Sequence, residues 1–121
     1  MSIIVKILVS IVLIEHLFFL WMEMFTWTTF GKRAFRGAMP PEMFEATKGM
    51  AANQGLYNGF LAAGLAWSLL IGDGPWAQNV AVFFLGCVLV AGLYGGYSIS
   101  KKIIWIQALP EAITFVVLHL L

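Results

Sequence analysis

Four long apolar stretches divide the chain, at residues 3–25, 50–71, 76–97 and 103–121. An α-helix needs about 20 apolar residues to cross the hydrocarbon core of a bilayer, and each stretch is close to that length. A longer polar loop, 26–49, follows the first stretch, whereas the turns at 72–75 and 98–102 are short. The pattern predicts an all-α membrane protein whose single domain, residues 1–121, is a bundle of four transmembrane helices.

The composition of the chain supports a lipid environment. Hydrophobic residues make up 61% of the 121 positions, charged residues make up 11%, and the mean hydropathy is +0.90. A typical soluble domain is about 25% charged, so this chain lacks the polar surface that water requires. The formal net charge of +1 gives no indication of nucleic acid binding. Cys87 is the only cysteine, which excludes a disulfide within the chain.

The basic residues are concentrated in two connecting segments. Loop 26–49 holds four lysine and arginine residues and segment 98–102 holds two, while Lys6 is the only other one. Cytoplasmic loops of membrane proteins carry an excess of these residues. In a chain with four crossings both segments lie on the same side. The asymmetry therefore predicts a cytoplasmic loop 26–49 and N- and C-termini that lie outside.

Ionisable and amide side chains interrupt the first, second and fourth apolar stretches between their middle and their cytoplasmic ends. Such groups are costly in a membrane and normally face the interior of a helix bundle or a wet cavity. At a rise of about 1.5 Å per residue, they lie at related depths between the midplane and the cytoplasmic surface. The candidate site residues are Glu15, His16, Glu23, Asn53, Gln54, Asn58, Gln107 and Glu111. We expect Glu15, His16 and Glu111 to form one coupled site.

Several interpretations of this cluster are open. Carboxyl and amide groups can hold helices together by hydrogen bonding, which would make the cluster structural. In a functional site, Glu15 and Glu111 could hold, share or exchange a proton with His16, as relays of such groups do in pumps and transporters. The same three residues are weak candidates for a divalent metal site, without an HExxH spacing. Glu23 could instead reach the interface beside the first basic residues of loop 26–49.

Small residues recur at a spacing of four in two of the stretches. Gly55 and Gly59 lie in the second stretch, and Gly92 and Gly96 lie in the third. This spacing lets helix backbones approach closely in lipid. It predicts packing between helices of the same chain, with a homodimer face as the alternative.

Four blocks of the sequence resemble a known family: EHLFFLWMEMFTW at 15–27, NQGLYNGFLAAGLAW at 53–67, CVLVAGLYGG at 87–96 and QALPEA at 107–112. Together they resemble the small bacterial four-span membrane proteins of the family DUF1304, a domain of unknown function. The block NQGLYNGF is the most specific. The resemblance implies a multi-pass protein of the bacterial cytoplasmic (inner) membrane and assigns no activity to any residue.

The functional prediction rests on the intramembrane cluster. The leading prediction is small-solute or proton-coupled transport by a homo-oligomer, because four helices enclose little volume. One alternative is a membrane-embedded acid–base enzyme acting on a lipid or isoprenoid, with Glu15 or Glu111 as proton donor and His16 as partner. Another is a structural or binding subunit. The expected partners are the lipid bilayer, further copies of the chain and a small-molecule or lipid ligand.

Overall fold

The computed structural model describes residues 1–121, and its regular structure is helical throughout. The chain begins with α1 (Ile3–Phe25), followed by a first π-helical turn (Trp27–Gly31) and two short helices, α2 (Lys32–Ala34) and α3 (Met43–Ala46). Two long helices come next, α4 (Lys48–Ile71) and α5 (Pro75–Ser98). A second π-helical turn (Ile104–Ala108) leads directly into α6 (Leu109–Leu120). The all-helical prediction is confirmed, and the long helices lie within a few residues of the predicted bounds.

Local chemistry explains where the long helices begin. The Ser2 side chain accepts a hydrogen bond from the Val5 amide at 3.2 Å, which caps the first turn of α1. Pro75 opens α5, at a position where its missing N–H and fixed φ are tolerated. Gly72 and Gly74 before it have φ of 80° and 110°, a region that favours glycine. The turn between α4 and α5 is therefore short and sharply defined.

The long helices form an antiparallel bundle in which each packs mainly on two neighbours. The α1–α4 contact is the most extensive, α4 also packs on α5, and α5 packs on the second π turn and α6, which returns to α1. The α4 and α6 helices lie across the bundle from each other with few contacts. The α4 helix packs directly on α1, and its polar face meets the fourth stretch only across a cavity lined by Asn58 and Gln107, because α5 packs on the other side of α4.

Glycines permit close contacts between the helices. A Cβ on Gly55 would lie 3.1 Å from the Glu23 Cβ, so α4 approaches the backbone of α1 there. A Cβ on Gly92 would lie 3.0 Å from the backbone of Ala108, where α5 meets the second π turn. Gly96 lies against Ile104 in the same contact. These small residues serve packing within the chain, as the first interpretation of their spacing predicts.

Most large apolar side chains face outward. Only 25 of the 121 residues are buried, and the outer surfaces expose residues such as Ile3, Phe83 and Val90, each more than 60% accessible. A soluble monomer rarely exposes so much contiguous apolar surface. By length and composition α1 and α5 can cross a membrane, while α4 begins with a lysine and several amides and segment Ile104–Leu120 is shorter. The two apolar helices indicate association with a membrane.

Candidate functional site

A histidine and a glutamate from two helices meet in the interior of the bundle. His16 lies near the middle of α1, and Glu111 lies in the first turn of α6. Both side chains are 0% exposed, and His16 Nε2 lies 3.3 Å from Glu111 Oε1. His16 Nδ1 lies 2.9 Å from the carbonyl oxygen of Val12. The sequence placed these two residues in one site, and the structure brings them into contact.

The contacts of the imidazole restrict where protons can be. A carbonyl oxygen only accepts hydrogen bonds, so Nδ1 of His16 must carry a hydrogen to bind Val12. Nε2 is then an acceptor in the neutral ring and a donor in the charged ring. An attractive contact with Glu111 therefore requires a proton on one of the two facing atoms. If both groups lost it, two acceptors would face each other in the interior.

The pair is not a closed hydrogen-bonded network. The 3.3 Å contact lacks the geometry of a good hydrogen bond, and both oxygens of Glu111 are buried without a hydrogen-bond partner. Buried Ser68 and Thr114 differ, because each donates to a carbonyl of its own helix, at 2.6 Å and 2.8 Å. Most buried polar atoms in proteins are satisfied, so an unsatisfied carboxyl group requires an explanation.

Glu15 lies beside this pair without joining it directly. Its side chain is half-buried and forms no ion pair with His16 and no hydrogen bond with Glu111. No group of three histidine, cysteine, aspartate or glutamate side chains is arranged to hold a metal ion. The three weak metal candidates thus lie in one region but not in the geometry of a metal site.

Glu23 forms a second polar centre nearer the loops. It is 6% exposed, and its Oε1 accepts a hydrogen bond from the Asn58 amide of α4. Gln54, one turn before Asn58 on α4, lines the same two cavities as Glu23. Glu23 makes no ion pair with Lys32 or Arg33, the basic residues near which it could have reached the interface. The close approach at Gly55 holds Glu23 against α4 instead.

Two cavities flank Glu23 at one end of the bundle. This end, which carries the connections 26–47 and 99–103, is called the loop end below. The first, of about 110 Å³, lies between Glu23, Asn58 and Gln107, and is bordered by aromatic rings and by Lys102. The second, of about 240 Å³, lies under the connection between α1 and α4. Glu23 and Gln54 line both cavities. Gln107 reaches the first cavity and donates a long 3.5 Å hydrogen bond to the Val88 carbonyl oxygen.

Because of the second π turn, the side chains of Gln107 and Glu111 point toward different neighbouring helices. A continuous α-helix would stack these residues one turn apart on the same face. In the structure, Leu109 N–H bonds to the Ile104 carbonyl, five residues back. Pro110 follows without an amide hydrogen, which disfavours an ordinary helical hydrogen bond at this point. Gln107 consequently faces α5 and the first cavity, whereas Glu111 faces His16 on α1.

The candidate residue Asn53 lies outside both polar centres, whereas Lys102, which the sequence did not indicate as a site residue, borders a cavity. Asn53 is exposed on the outer side of α4 and lines neither cavity. Lys102 was counted only for membrane orientation, yet it borders the first cavity and its Nζ donates to the Ala34 carbonyl at 2.7 Å. The two residues are far apart in sequence, and no local pattern indicates that contact.

The chain matches a known protein family over most of its length. The family described as "Protein of unknown function (DUF1304)" matches residues 10–119. The chain belongs to this family. The match spans α1 from its second turn to the end of α6, so this DUF1304 protein carries both polar centres within the family region. No curated protein and no solved structure matches the chain significantly.

Proposed function

We propose that this DUF1304 protein is a proton-coupled transporter of small solutes in the bacterial cytoplasmic (inner) membrane. The main support is the buried pair of His16 and Glu111. His16 Nε2 lies 3.3 Å from Glu111 Oε1, and both carboxyl oxygens of Glu111 lack a hydrogen-bond partner. A purely structural network has no need of an unsatisfied carboxyl group, which is costly in the interior. A carboxyl group that takes up and releases a proton must exist in both its protonated and its deprotonated form. Fixed hydrogen bonds that favour only one form would prevent this.

The arrangement along α1 supports a route for protons. Glu23 lies seven residues from His16, which is about 10 Å along a helix and nearly the same direction around it. The cavities at Glu23 lie at the loop end. From His16 toward the termini the interior is filled by apolar side chains, including Val5, Val9 and Leu118. We infer that, in this conformation, protons reach the His16–Glu111 pair from the loop end, while the apolar core closes the end of the bundle near the termini.

The proposal includes four crossings, with both termini outside and loop 26–49 in the cytoplasm. It rests on the six-to-one distribution of basic residues. A reporter that is active only in the cytoplasm should stay inactive when fused after Leu121 and become active when inserted after Gly37, an exposed turn residue. Strong activity of the fusion after Leu121 would overturn the orientation.

Transport is tested in liposomes that contain the purified protein and an internal pH-sensitive dye. Methylguanidinium, gluconate and sorbitol represent a cation, an anion and a neutral solute, none of which crosses lipid readily. An outward proton gradient should collapse faster with one of them than in empty liposomes. Glu111→Gln should abolish the acceleration, because an amide keeps the shape but cannot exchange the proton. Glu45→Gln, in an exposed part of α3, serves as the control.

The enzyme alternative lacks a comparable observation. An acid–base catalyst must lie within hydrogen-bond reach of the reacting atoms. His16 and Glu111 line none of the three principal cavities. The homo-oligomer remains part of the proposal, because the exposed apolar faces are equally suited to lipid and to further copies of the chain.

A further inference from the structure

Glu23 is a buried acid without a basic neighbour. It is 6% exposed, and no lysine, arginine or histidine nitrogen lies within 4.0 Å of its carboxyl group. A buried carboxylate normally has an ion partner, since removing its charge from water is costly. Glu23 also lines both cavities at the loop end. Its missing partner can therefore reach it from the cavity side.

The amides around Glu23 present acceptors to the cavities. Asn58 uses its amide nitrogen on Glu23, and Gln107 uses its nitrogen on the Val88 carbonyl oxygen. Their side-chain oxygens accept no hydrogen bond from the protein and are not fully buried. Together with the carboxylate they make a set of acceptors, which complements a ligand with several N–H donors.

Aromatic and aliphatic side chains supply the apolar part of the lining of the first cavity. Phe18, Phe19 and Phe35 border it beside Glu23. Ring faces attract cations, and planar guanidinium groups also stack on them. With a volume of about 110 Å³, the cavity accommodates only a small ligand.

Lys102 is the one basic residue at this cavity, and it lies at the exposed rim. Its Nζ donates to the Ala34 carbonyl at 2.7 Å, which links the segment before the second π turn to α2. Solvent and salt screen an exposed charge much more than a buried one. Lys102 therefore weakens the attraction for a cation at the entrance without neutralising Glu23 in the interior.

We propose that the cavity beside Glu23 binds a small organic cation bearing N–H groups, with the Glu23 carboxylate as its counter-ion and the ring faces of Phe18 and Phe35 as its walls. This inference names the solute class for the proposed transport function. The cation donates to the carboxylate and to the free amide oxygens of Asn58 and Gln107, and its apolar part contacts the rings.

The first experiment uses the unmodified protein in detergent and measures binding by calorimetry and by the shift in melting temperature. Methylguanidinium chloride is the probe. N-Methylurea has nearly the same shape without the charge, and tetramethylammonium has the charge without N–H groups. Methylguanidinium should bind at least about tenfold more tightly than either, since hydrogen bonds to a charged group are the stronger ones. Equal binding of methylguanidinium and N-methylurea would overturn the proposal, and this comparison requires no variant.

Variants then locate the site. Glu23→Gln should weaken methylguanidinium binding about tenfold or more and leave N-methylurea unaffected. Glu45→Gln removes an exposed carboxylate outside both cavities and should bind as the parent does. Lys102→Gln should bind the cation as tightly as the parent or more tightly, because a repulsive charge leaves the entrance. If Glu23→Gln matches the parent, or if Lys102→Gln loses binding, the cation site is wrong.

The outcomes also separate this inference from the transport proposal. Binding that depends on Glu23, in a protein that moves no protons in liposomes, would support the site and contradict transport. Proton movement that depends on Glu111 and is driven by gluconate or sorbitol, without methylguanidinium binding, would support transport and contradict the cation site.

Discussion

The two ends of the helix bundle are built from different chemistry. Toward the termini, the helices meet through a continuous apolar cluster that includes Val5, Leu65, Leu85 and Leu118, each at most 3% exposed. Toward the loops, α1 and α4 meet through Glu23 and its hydrogen-bond partner Asn58, beside two cavities. His16 and Glu111 lie between the two regions. The apolar core and the cavities therefore lie at opposite ends of the bundle.

The difference has a physical basis in how each region closes. Apolar side chains pack without directional requirements, so the terminal end has a dense core. Polar groups need partners in fixed directions, and at the loop end they leave two cavities and a long 3.5 Å hydrogen bond from Gln107. Both π turns also lie at the loop end, where they alter the helical register. Such turns are frequent at functional sites, and here they adjoin the two cavities.

Removing side-chain volume should distinguish the two ends most strongly. Leu85→Ala leaves a hole in a fully buried cluster and should cost about 2–5 kcal/mol. Ile103→Ala enlarges a region that already contains cavities, so it should cost clearly less. Thermal melting in detergent provides the measurement. Equal losses would mean that the loop end is packed as densely as the terminal end.

The hydrogen bond to Glu23 should matter for stability as well as for binding. Asn58→Leu removes the amide that donates to the buried carboxyl group, and an unsatisfied buried group costs about 1–3 kcal/mol. Asn53→Leu makes the same chemical change at an exposed position of the same helix and should not destabilise the protein. Denaturation of both variants in mixed micelles would show the difference. A tolerated Asn58→Leu would contradict the assignment of Asn58 as the partner of Glu23.

Close approach at the second π turn gives another contrast on one helix. Gly92→Ala places a methyl group 3.0 Å from the Ala108 backbone, which cannot rotate away, and should cost about 1–3 kcal/mol. Gly86→Ala meets nothing within 4 Å and should stabilise α5 by about 0.5–1 kcal/mol. Opposite changes in melting temperature are expected. Changes of the same sign would show that the π turn is not held by this contact.

The link between Lys102 and Ala34 should have the smallest effect. Both partners lie at the exposed end, so Lys102→Ala should leave the melting temperature nearly unchanged. Amide hydrogen exchange should nevertheless become faster in 32–36 and 99–104, since local opening requires less energy than global unfolding. Unchanged exchange in both segments would mean that Lys102 does not restrain the loop end. Lys101→Ala, which changes an exposed neighbour, is the matched control.

Much of the fold could be predicted from the sequence because it depends on local properties. The apolar stretch lengths predicted the long helices, with Pro75 and the glycines before it marking the turn between α4 and α5. The depth of His16 and Glu111 followed from helical rise alone. Gly92 and Gly96 correctly indicated a close helix contact, although the sequence did not specify that their partner is the second π turn.

Pairing across the bundle was decided by the tertiary structure. The sequence put Asn53, Gln54 and Asn58 on one polar segment, but the contact between α1 and α4 determines that Asn58 faces Glu23 and Asn53 faces outward. Because α5 packs beside α4, α6 lies on the opposite side of the bundle from α4. The sequence determines which residues are polar and how deep they lie, because both follow from residue type and helical rise. Their partners depend on helix rotation and neighbour order, which only the packing of all four long helices sets.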